Sequence, residues 1–223
     1  MTFATIGSHD LFRATPRILC AAVCLVVGVG LGIACVVQQG PLPGDVATTQ
    51  TLQSVLGAEP IWAGPITQTA KHPLVWITLA IGCGLGWLRS GWRAPAATLI
   101  AFASVKGLDA IMRASFHAPK PITEWVAVAS PSDSSGFPST FGLVYAAIFG
   151  GVLFANAKPK WQSNAIALVA ILMLILGSLS RLVLGGHWPS QLLASVLIAF
   201  AIVQIAHHFI EDKHEAKTAS PIE

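Results

Sequence analysis

The chain has 223 residues, with 13 Lys and Arg against 10 Asp and Glu, for a net charge of +3. Hydrophobic residues make up 54% and charged residues only 10%. Soluble domains carry about 25% charged residues, so this composition excludes an ordinary soluble enzyme, a disordered protein and a nucleic-acid binder. It predicts a protein that crosses a membrane several times.

Six apolar stretches follow one another along the chain, at 17–37, 73–88, 94–112, 140–157, 164–179 and 191–210. Each is close to the roughly 20 residues that a helical span needs. Their Leu, Ile, Val and Ala content predicts helices rather than barrel strands. Gly82, Gly84, Gly86, Gly150 and Gly151 lie within them, and small residues let helices approach closely in lipid. The expected fold is therefore an all-α integral membrane protein with six transmembrane helices in one bundle. Residues 17–210 form the membrane domain, 1–16 a cytoplasmic N-terminus, and 211–223 a charged, frayed cytoplasmic tail. The first run is long for a signal peptide and reads as a retained anchor.

The connections differ in character. Segment 40–72 is long and polar, 89–93 is a tight basic turn, and 114–139 is a long Pro- and Ser-rich loop. Segment 156–163 is a short basic turn, and 180–190 a short loop containing Gly185 and Gly186. Arg13, Arg17, Arg89, Arg93, Lys158, Lys160, Lys213 and Lys217 all fall on one side of a six-span bundle. The positive-inside rule makes that side cytoplasmic. Cys20, Cys24, Cys35 and Cys83 sit in apolar runs without a Cys-x-x-Cys pair. They read as buried small residues rather than a disulfide frame or a metal site.

Lys71, Lys106, Arg113, Lys120 and Arg181 remain for the other side, and there the chemistry concentrates. Lys106 and Arg113 are seven residues apart, nearly two turns, so they share one helix face. Asp109 stands a turn from Lys106 and is placed to neutralise it. Pro138 and Ser139 read as a helix start, whose free N–H groups suit an anion. Arg181 offers a planar fork for phosphate, and His187 a nucleophile or base. Gln191, if Pro189 opens the last helix, is placed to orient the His187 ring.

The order Lys106-(six residues)-Arg113, Pro138-Ser139, then Ser180-Arg181-(five residues)-His187-(three residues)-Gln191 resembles the type 2 phosphatidic acid phosphatase superfamily, which also includes vanadium haloperoxidases. The resemblance covers roughly residues 73–210. It implies a metal-free, cofactor-free phosphohydrolase or phosphotransferase that forms a phosphohistidine. It also implies a phosphate cradle of Lys106, Arg113, Ser139, Thr140 and Arg181, with His187 as nucleophile and Gln191 beside it. The implied partner is a lipid phosphate or lipid diphosphate at the outer face of the cytoplasmic membrane. Three positions depart from the family pattern. Ala114 replaces the Pro that closes the first motif. Phe141 replaces the His that protonates the leaving group, and Gln191 replaces the Asp that orients the nucleophile. His117, in the loop beyond Arg113, is the nearest substitute acid in sequence. The alternative implied by Phe141 and Gln191 is a relative that binds lipid phosphate without hydrolysing it.

Overall fold

The computed structural model describes residues 8–157 and 160–212. The expected frayed tail from Lys213 onward, Lys158 and the first seven residues lie outside the described residues. Among the described residues every regular element is helical. In chain order these are α1 (Ser8–Gln38), α2 (Asp45–Leu56), α3 (Ala63–Gln68), α4 (Leu74–Ser90), α5 (Arg93–Ser115), α6 (Thr140–Leu153), α7 (Trp161–Val183) and α8 (Pro189–His207). A short π-helical turn over His208–Asp212 extends the last of them.

Four segments are long and apolar enough to cross a membrane: Pro16–Gln38, Arg93–Ser115, Trp161–Val183 and Pro189–Ile210. Helices α4 and α6 are shorter. At 1.5 Å per residue they reach about 25 Å and about 21 Å. The apolar stretch expected to run to Ala157 stops as a helix at Leu153.

Helix α6 stands at the centre. Every residue from Phe141 to Val152 is buried. It packs against α4, α5, α7 and α8, while α1 lies along α8. Small residues permit this enclosure. A Cβ at Gly151 would overlap the Thr98 side chain of α5, and one at Gly82 of α4 would overlap Ile148 of α6. The large side chains left exposed, such as Val26, Trp76, Leu88, Ile111 and Leu172, belong to outer helices. A lipid environment accommodates such a surface.

The two ends of the bundle are tied differently. At one end, arginines take up the carbonyls that α6 leaves unpaired at its C-terminus. Arg89 donates to Val152 O and, at 2.5 Å, to Leu153 O, and Arg17 donates to Phe154 O at 3.2 Å. At the other end, segment 40–72 is not a plain polar connection, because it holds α2 and α3. Asp45, at 4% exposure, accepts from the Ser190 amide at 2.9 Å and from the Ser190 hydroxyl at 2.6 Å. It also accepts from Leu42 N at 2.8 Å. A carboxylate at the first turn of α8 pairs the amides that a helix start leaves open and meets its dipole.

The cysteines are all free thiols, but only Cys35 is buried, and Cys20 is exposed on α1. Expected burial therefore holds at one of the four. Cys24 on α1 and Cys83 on α4 are half-covered.

Removing the Asp45 carboxylate strands buried N–H and O–H donors, which costs about 1–3 kcal/mol for a buried unsatisfied group. Asp45→Ala is expected to lower the thermal unfolding midpoint in detergent clearly. Substitution of exposed Glu59 should leave it within experimental error.

Candidate active site

Helices α3, α5, α6 and α7 converge, with the connections that carry Lys71, Lys120 and His187, at the end of the bundle that carries α2 and α3. Helix α5 ends at Ser115 with Phe116 extended, so the chain leaves the helix two residues beyond Arg113. The Arg113 side chain ties this end together. Its Nε donates to Asp109 Oδ1 and to Thr140 Oγ1, both at 3.0 Å. Its terminal nitrogens donate to Pro138 O at 2.8 Å and Ser135 O at 3.3 Å. Thr140 in turn donates to the Asp109 carboxylate. Asp109 thus neutralises Arg113 rather than Lys106, which was its expected partner.

Beside this knot lies a cavity of about 140 Å³, lined by Thr67, Ala70, Lys71, Arg113, Lys120, Thr140, Phe141, Arg181 and His187. Lys120 reaches it from the returning loop, with Nζ donating to Ser134 Oγ at 2.6 Å. Arg181 belongs to the last turn of α7, not to the loop after it. Its Nε is buried without a hydrogen-bond partner, and its guanidinium lies 6.0 Å from the centre of the Phe141 ring. Buried donors without partners are rare, and this one belongs to a side chain whose fork suits phosphate oxygens.

His187 is 4% exposed, and its Nδ1 lies 2.8 Å from Gly136 O. A carbonyl only accepts, so Nδ1 carries the proton and donates. Nε2 is then the unprotonated nitrogen, and no described residue bonds to it. The loop Gly185–Gly186 allows this placement. Gly185 has φ 62°, and a Cβ there would overlap Ala127 O. Burial first, and then the Arg181 charge, hold the His187 imidazole well below its usual pKa, against the opposing Gly136 bond. Burial also lowers the Lys120 ammonium, helped by Arg181, Arg113 and Lys71.

Several sequence expectations need correction. Lys106 is exposed on α5 and is not part of the cavity wall. Lys120 stands there instead. The interval Arg113-(six residues)-Lys120 repeats the spacing of Lys106-(six residues)-Arg113, and Pro121 follows it as the family pattern requires. Ser139 is fully buried as the cap of α6. Its hydroxyl accepts from Gly142 N at 3.2 Å and its amide donates to Ser195 Oγ at 2.8 Å. It is not on the wall, whereas Thr140 is. Gln191 does not bond to His187. Its Nε2 donates to Pro119 O at 2.8 Å and its Oε1 accepts from Trp188 N at 3.1 Å. His117 lines neighbouring hollows and not this cavity. Lys71, Thr67 and Lys120 were missed. Lys71 and Thr67 belong to no motif, while Lys120-Pro121 was a readable signal.

Among the described residues no group of three or more His, Cys, Asp or Glu could hold a metal ion.

A family model described as the PAP2 superfamily matches residues 96–215. Among solved structures, the crystal structure of a transmembrane PAP2 type phosphatidylglycerolphosphate phosphatase from Bacillus subtilis is similar, with a TM-score of 0.60 and 17% identity. The match covers 91% of this chain and 98% of that one. At that identity the likeness speaks for the fold alone. No curated protein sequence matches the chain.

The lowered His187 pKa has a sign. The unfolded chain binds a proton as pH falls through the ordinary imidazole range, while the folded site does not. Stability present above that range is therefore lost on acidification. Between about pH 7 and about pH 5, the unfolding midpoint should fall more steeply for the native protein than for His187→Gln.

Proposed function

The chain belongs to the PAP2 superfamily, and on that basis we propose that it is a membrane phosphatase or phosphotransferase. Its substrate is a lipid phosphate or lipid diphosphate. The observation that carries this reading is the pairing of an Arg181 whose buried Nε has no protein acceptor with a His187 whose Nε2 meets no described partner. Arg113, Lys120, Thr140 and Arg181 hold the phosphoryl oxygens. His187 Nε2 attacks phosphorus as the bond from phosphorus to the leaving oxygen breaks, the electron pair departing with the lipid, and a phosphohistidine forms while Nδ1–H stays donated to Gly136 O. Water then attacks phosphorus, the P–N bond breaks, and its electron pair returns to Nε2. Preorganised cations aimed at the transferring group supply most of the rate in such a step.

On this reading α1, α4, α5, α6, α7 and α8 are six spans of one membrane domain over 17–210, with the short α6 enclosed by the others. The distribution of Lys and Arg sets both termini in the cytoplasm and the cavity at the outer face. The long apolar helices support an integral membrane location.

A second reading has one observation in its favour. Phe141 occupies the place of the family's general acid, stacked on Tyr145 with ring centres 4.3 Å apart. No donor stands there, and positioned acid–base catalysis is typically worth about 10²–10⁴ in rate. A site that binds lipid phosphate and does not turn it over is the result.

Release of inorganic phosphate by the purified protein separates the two. The phosphatase reading expects release that disappears in His187→Ala, and an acid-labile labelled phosphoenzyme. The binder reading expects neither, with lipid phosphate still retained. If release occurs, Lys120→Ala should lower kcat/KM by about ten- to a hundredfold and Lys106→Ala by less than about threefold, one charged contact being worth about 1.5–3 kcal/mol.

A further inference from the structure

Granted the phosphatase reading, we infer that this site is built for a diphosphate, and that Lys71 recognises the phosphate that departs. Three observations converge on this.

The first is the missing proton. Cleaving a phosphate monoester expels an alkoxide, which at neutral pH must be protonated as it leaves. Among the described residues the wall offers Lys71, Lys120, Arg113, Arg181 and His187 as its only titratable groups, and in this proposal the four cations hold phosphate oxygens. His187 is the nucleophile, and its one proton is committed to Gly136 O. The Tyr145 hydroxyl is occupied by Thr69 and is not on the wall. A leaving phosphate ester is different. Its acid dissociates near or below neutrality, with a second pKa of about 6 for a monoester, so it departs as an anion without help. In the step proposed, Nε2 bonds to the terminal phosphorus as the bond to the bridging oxygen breaks. The electron pair stays on that oxygen, and the lipid monophosphate leaves unprotonated. Water then adds to the phosphohistidine, and both of its hydrogens leave with the inorganic phosphate.

The second is charge. Among the described residues no carboxylate lines the cavity. Arg113 is balanced by Asp109 at 3.0 Å. Lys71, Lys120 and Arg181 have no such partner, which leaves three positive charges in excess. A phosphate monoester brings about two negative charges at neutral pH, and a diphosphate monoester about one more.

The third is the origin of Lys71. It comes from the turn between α3 and α4, outside the residues 96–215 that the family model matches. The other wall cations are positioned, with Arg113 in its knot, Lys120 on Ser134 and Arg181 over Phe141. The Lys71 side chain is exposed at the wall and bonds to no described residue. It is the cation left for a second phosphate.

The test uses the full chain in lipid nanodiscs with farnesyl monophosphate and farnesyl diphosphate, which share one tail and differ by one phosphate. The diphosphate should be cleaved with kcat/KM at least about a hundredfold higher, the lower bound for a missing general acid. Phe141→His should narrow that gap. Competition by inorganic pyrophosphate and inorganic phosphate reads Lys71 separately, and Lys71→Gln should cut the preference for pyrophosphate about tenfold. Comparable cleavage of the two farnesyl probes overturns the inference, and so does monophosphate cleavage that Lys120→Arg abolishes, because that variant keeps the charge and loses only the acid. An unchanged pyrophosphate preference in Lys71→Gln overturns the role of Lys71. If neither probe loses phosphate, the phosphatase reading falls. The pyrophosphate-to-phosphate preference, measured then by thermal shift, still decides whether the site takes a diphosphate.

Discussion

Positive charge gathered at one end of an apolar bundle is the constraint on which the rest of this structure depends. Charges withdrawn from water are costly unless they are paired, wetted or held for an anion. Each cation here meets that cost in its own way. Arg113 is neutralised by Asp109 and spreads its donors over Thr140, Pro138 and Ser135, which fastens the start of α6 to α5. Lys120 is drawn in by serines of its own loop. Arg181 rests against the face of an aromatic ring with part of its donor set unused. The same contacts that make the charges tolerable determine where α5, α6 and α7 meet. The fold and the cavity are thus one solution rather than a scaffold with a site added.

Segment 40–72 takes part in that solution. Asp45 holds the first turn of α8, which lies directly after His187. Thr67 donates to or accepts from Ser180, next to Arg181, at 3.3 Å. Gln53 donates to Val183 O at 2.9 Å and Ala127 O at 2.8 Å. Helices α2 and α3 therefore brace the loop that carries His187, and the turn after α3 delivers Lys71 to the cavity.

Much of this was legible in the sequence. Hydropathy located the apolar helices to within a few residues, because a span of given thickness fixes the length of an apolar run. Arg113, Arg181 and His187 came from spacing and Thr140 from the family resemblance, and the four line one cavity. Lys106 was misread for a specific reason. Helix periodicity put it on the face of Arg113, but α5 stops at Ser115 and the chain turns back, so the partner of Arg113 comes from the loop. The pair Lys120-Pro121 signalled this, seven residues on from Arg113 with the closing proline that Ala114 lacked. Lys71 was beyond reach, because a turn between two short helices brings it in and no local pattern encodes that return. The roles of Ser139 and Gln191 were hidden too. A hydroxyl at a helix start and an amide near a histidine have several partners within range, and packing alone decides among them.

The anchor of the His187 ring is a backbone atom. Gly136 O orients the His187 ring, and Gln191 packs so tightly against Gly136 that a Cβ there would overlap its side-chain amide. A peptide carbonyl belongs to every residue, so no codon change can delete it. Truncating a side chain leaves this alignment intact, and the position that carries Gln191 is released from supplying a negative charge. Sensitivity passes instead to added atoms. The smallest gain of bulk at Gly136 pushes on the turn that aims the ring. Genetic damage to this centre is therefore expected to come from enlargement more than from loss.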